Sequence, residues 1–141
     1  MSERVFDMRL TCRYSGSEND VAALQVELLE DDVWKAFNVD NETAGFLIFV
    51  YSVFTCQHMH LRLGCAEHNL LLETTTGSIH LVTSEDWEIE KIHVGFQCQS
   101  GSGTPTPGHI SDITRRMMNC PVSRNLKPGV ECETAIGIDE T

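Results

Sequence analysis

A chain of 141 residues is the size of one domain, and a hydrophobic content of 41% can fill a core. Ten basic residues against 21 acidic ones leave a formal net charge of -11, so there is no basic surface to neutralise phosphates and nucleic-acid binding is disfavoured. The opening residues MSERVFD carry charges where a signal peptide has an apolar core, and the longest apolar run, positions 46–53, falls well short of the roughly 20 residues a membrane span needs. The expected location is the cytoplasm, where six cysteines serve as core residues, redox thiols or metal ligands in preference to structural disulfides.

Positions 1–40 read as strands. Phe6, Met8, Leu10, Cys12 and Tyr14 share one face, and Asp7, Arg9, Thr11 and Arg13 the other. The turn SGSEND leads into a second alternating run through Ala22, Leu24, Val26 and Leu28, which predicts a hairpin, and positions 33–39 offer a short third strand. The stretch DNET, Asp40 to Thr43, supplies capping side chains for a long helix over positions 42–67. The first half of that helix is apolar nearly all round, the pattern of a helix buried on most sides, and this points to a partner subunit.

Positions 69–141 hold the remainder. Leu70 to Val82 and Trp87 to Gln99, joined by TSED, predict a second hairpin, and SGSGTPTPG is a loop. Apolar residues at 110, 113, 117 and 118 predict an amphipathic helix, and after the turn KPG a last strand puts Val130, Cys132, Thr134, Ile136 and Ile138 on one face. The order β-β-(β)-α-β-β-α-β is that of a single α+β domain.

Cys12, Cys98 and Cys132 fall on apolar strand faces and read as core residues. Cys65 lies in the last turn of the long helix with no assigned role. Cys120 precedes Pro121 and is placed to cap a short helical turn over 121–126, where free backbone N–H groups lower a thiol's pKa. A reactive thiol and a plain capping sulfur are both open readings there, with Arg124 one turn on. Cys56 sits mid-helix beside Phe49, Val53, Met59, His60 and Leu63; it reads as a core thiol or as one polarised by His60. Cys56 and His60 also have the spacing of two metal ligands, but no second pair accompanies them, so no metal site is assigned.

A cysteine within a long apolar helix, followed 64 positions later by CPVSRNL, resembles the OsmC/Ohr family of osmotically inducible and organic hydroperoxide resistance proteins. The resemblance implies an intertwined homodimer in which antiparallel sheets wrap around the long central helices. It implies that Cys56 is peroxidatic and Cys120 resolving, that the substrate is an organic hydroperoxide, and that an external dithiol resets the pair without a cofactor or metal. The family's peroxidases carry a glutamate ten residues before the first cysteine, which holds an arginine over the thiolate. Here that position is Phe46 and the nearest acid is Glu42, with Arg9 and Arg13 the candidate arginines. The alternative within the same family is a catalytically inactive protein that binds a small apolar ligand at the dimer interface.

Overall fold

Alternation of period two runs through both ends of the chain, and the strands it builds join in one sheet. The computed structural model describes residues 3–140. The strands β1 (Arg4–Ser15) and β2 (Asp20–Glu30) form the first hairpin, and β3 (Val33–Ala36) extends it. Next come α1 (Gly45–Glu67), the second hairpin of β4 (Leu71–Thr83) and β5 (Ile89–Ser102), then α2 (Pro107–Met118), a 3-10 turn at Ser123–Asn125, and β6 (Glu131–Glu140). The sheet order is β3-β2-β1-β4-β5-β6. It is a mixed sheet: all neighbours are antiparallel except β5 and β6, which run parallel. A parallel pair needs a crossover, and the segment carrying α2 supplies it.

Side chains at one register row show how the sheet meets the helices. Val26, Leu10, Gly77, Phe96 and Ile136 stand in line across β2, β1, β4, β5 and β6. Gly77 is required: a Cβ there would lie 2.5 Å from Phe96 Cδ1. The Phe96 ring fills that space and stacks on Phe54 of α1, centroids 5.6 Å apart.

On α1 the buried residues are Val50, Val53, Phe54, Gln57, His58, Leu61, Gly64 and Cys65, a continuous stripe at helical spacing. Burying each large apolar side chain of this stripe contributes about 1.5–3 kcal/mol. The far side of α1 is apolar as well, with Ile48 at 37% and Met59 at 39% exposure. None of the described helices is long and apolar enough to cross a membrane.

Both helices start differently from the expectation. The DNET side chains close a turn among themselves: Asp40 Oδ1 accepts from the Glu42 N–H, and Thr43 Oγ1 accepts from the Asp40 N–H. With those groups engaged, α1 begins after Ala44 without any side-chain cap. The second helix begins at Pro107, earlier than its apolar periodicity suggests, because Thr106 and His109 form a reciprocal capping box and proline fits the first helical position.

The last strand also corrects the reading of one cysteine. Cys132 is exposed, not buried. It shares a face with its register partner Ile92, which is 2% exposed, but β6 is the sheet edge and has a neighbour on one side only.

Candidate active site

The α1 stripe that faces the sheet places Cys56 at its margin, half-buried, one residue before the buried Gln57. Cys120 follows α2 and is fully buried. Its sulfur accepts the Ser123 N–H at 3.3 Å and donates to Ser123 Oγ at 3.1 Å, so it caps the 3-10 turn. The fold brings the two cysteines near each other, close enough for the Cys120 thiol and the Val122 backbone to act on the Cys56 thiol.

Electrostatics at this pair oppose ionisation. Burial pushes the Cys56 thiol up, and the Cys120 hydrogen bond pushes it further, against the smaller lowering effect of the Val122 N–H. The thiol form therefore dominates near neutral pH.

Neither candidate arginine offsets this. Arg9 donates to Glu27 Oε1 at 2.7 Å and lies 4.2 Å over the Trp34 ring. Arg13 is exposed. Between them Met8, Leu10 and Cys12 are buried toward α1, so the alternation of β1 sends both arginines to the opposite side of the sheet. Phe46 is likewise unavailable for a charged role, since its ring contacts Phe6, Phe49 and Trp87 at centroid distances of 4.9, 5.7 and 5.3 Å.

A polar network missed at the level of sequence supports Cys120. Thr134 Oγ1 donates to Gln57 Oε1 at 2.9 Å, and Gln57 Nε2 donates to Ser123 Oγ at 3.3 Å, the same hydroxyl that receives the Cys120 thiol. The chain Thr134–Gln57–Ser123–Cys120 ties β6, α1 and the 3-10 turn together around one sulfur. A glutamine inside an otherwise apolar helix was the available signal.

His60 stands one turn after Cys56 with both ring nitrogens buried and without a hydrogen-bond partner. Burial, then the nearby Arg116, lowers its pKa and keeps it neutral. It is not among the groups that act on the Cys56 thiol, so no polarising contact joins the two.

No protein-family model matches the sequence, and none of the curated proteins does. Solved structures do match. An OsmC-like hydroperoxide resistance protein from Jannaschia sp. CCS1 is similar at a TM-score of 0.57 and 8% identity, over 86% of this chain and 85% of that one. An OsmC-like protein of unknown function from Vibrio cholerae O1 is similar at 0.53 and 15% identity, over 79% and 83%. An OsmC-like protein from Mycoplasma pneumoniae is similar at 0.54 and 10% identity, over 82% and 89%. The long helix laid on a mixed six-stranded sheet, with a second helix crossing to a parallel edge strand, is the OsmC-like fold.

Proposed function

We propose that this protein reduces organic hydroperoxides through Cys56 and Cys120. The observation that carries this reading is the nearness of two thiols 64 positions apart in the chain, one on α1 and one in the turn after α2, close enough for Cys120 to act on the Cys56 thiol. The Cys56 thiolate attacks the distal peroxide oxygen, the O–O bond breaks, and the alkoxide leaves and takes a proton to become the alcohol. Cys56 is then a sulfenic acid. The Cys120 sulfur attacks the Cys56 sulfur, water leaves, and a Cys56–Cys120 disulfide forms. An external dithiol gives two electrons and two protons to restore both thiols.

Gln57 and Ser123 fix the position of the Cys120 side chain for this second step. The apolar surroundings of Cys56, with Phe49 and Val53 on neighbouring faces, suit an organic hydroperoxide better than hydrogen peroxide. A second copy of the chain covers the apolar far side of α1, as in the intertwined homodimer that the resemblance implies. The test is the Cys120→Ser variant. With no resolving thiol, it should accumulate a sulfenic acid at Cys56 on exposure to cumene hydroperoxide, trapped by a dimedone-type reagent. Absence of the adduct in the folded variant sinks the reading.

A second reading is favoured by the raised Cys56 pKa and the distant arginines: a non-catalytic protein that binds a small apolar ligand. The depression walled by Phe6, Leu28, Phe46, Leu47 and Trp87, about 270 Å³, is of suitable character. Retention of an apolar fluorescent probe there, with Cys56 inert to peroxide, distinguishes the two.

A further inference from the structure

On the face of the sheet turned away from α1, titratable side chains line up across four strands. Asp7, His80, His93 and Glu133 are successive register partners on β1, β4, β5 and β6. His93 Nε2 lies 2.6 Å from Glu131 Oε2 and 2.9 Å from Glu133 Oε2. One imidazole N–H cannot satisfy two carboxylates fully, and the two glutamates, two residues apart on the same face of β6, repel each other. In a chain of net charge -11, that is a costly arrangement unless a cation joins it.

We propose that His93, Glu131 and Glu133 form a binding site for a first-row divalent metal ion such as zinc. Their ligand atoms all lie within 4.8 Å of one another. One imidazole nitrogen and two carboxylate oxygens are a donor set that zinc accepts, with water in the remaining position. Metal bonds of about 2.1 Å would spread these atoms to about 3.3 Å apart, a small adjustment for exposed side chains.

The neighbouring histidine strengthens the assignment. His80 Nδ1 is 2.6 Å from Asp7 Oδ1, and its ring centroid is 6.4 Å from that of His93. A carboxylate on one imidazole nitrogen is the arrangement that orients metal-binding histidines, and His80 stands beside the three ligand residues without belonging to their group. The ion would bridge β5 and β6 and so clamp the sheet's edge strand, on the face turned away from α1 and independent of the peroxidase reading.

The experiment is calorimetric titration of the reduced full-length protein with zinc chloride, with a parallel cobalt(II) absorption spectrum and thermal melts. The variants are His93→Ala and the double variant Glu131→Gln/Glu133→Gln; all three positions are at least one-third exposed, so both should fold. The expected result is one equivalent bound, a rise in Tm, and binding at least about tenfold weaker in each variant. Cobalt should show no thiolate charge-transfer band. No binding to the unaltered protein would overturn the proposal. So would binding that both variants retain, or a thiolate band, since the ion would then sit on cysteines.

Discussion

Tyr14 places its hydroxyl 2.7 Å from Nε2 of His58, a histidine only 3% exposed beneath the Phe96 ring. Burial, with Arg62 adding to it, lowers the His58 pKa from 6.5 to about 4, so the neutral ring accepts a hydrogen bond from the tyrosine hydroxyl. The unfolded chain binds a proton here that the native state refuses. Stability from this group is therefore whole above pH 6.5 and is lost as pH falls toward 4, by about 3 kcal/mol. Denaturant titration of the unaltered protein and of His58→Gln across that window checks it: the variant should show a flatter acid limb, and equal slopes would contradict the assignment. Other residues show what was legible. Cys12 and Cys98 were readable as core from strand alternation, and burial pushes the Cys98 thiol up to about 11. The same alternation misplaced Cys132, because a period of two tells which face a residue takes and not whether anything covers that face. Cys56 and Cys120 each stood out locally, but only the CPVSR resemblance paired them, since their meeting depends on the whole fold.

Elements were legible where the pattern was long and locally satisfied. The two hairpins and α1 fall within three residues of their expected limits. Helix starts were not, because capping depends on which hydroxyl wins: Asp40 and Thr43 bond each other, and Thr106 caps α2. Gly64, a poor helix former inside α1, has a packing reason. A Cβ at this position would lie 3.3 Å from Ile113 Cγ1 and 3.4 Å from Ile113 Cγ2, so its absence lets α2 approach. Ile113 and Met117 are fully buried in that contact. The Gly64→Val variant should force the helices apart and lose about 1–3 kcal/mol despite valine's better helix propensity. Chemical denaturation measures it, and an unchanged or higher stability would show that the contact is loose.

At the scale of the molecule, the sheet order and the parallel β6 were not readable in advance, because strand pairing is decided by contacts remote in sequence. The apolar girth of α1 was readable, and it carries the expectation of a second subunit. A far side bearing Ile48, Met59 and Leu63 calls for cover, so sedimentation at low micromolar concentration should find a dimer; a stable folded monomer would contradict this. Burial holds the Cys56 thiol protonated, so any reaction with peroxide should accelerate as pH rises through and beyond the ordinary thiol range. The most direct measurement is mass spectrometry of the reduced, unaltered protein after exposure to excess cumene hydroperoxide, with peptide mapping. The protein should lose two hydrogens and yield one cross-linked peptide pair joining Cys56 to Cys120. Unmodified Cys56 after prolonged exposure would contradict it.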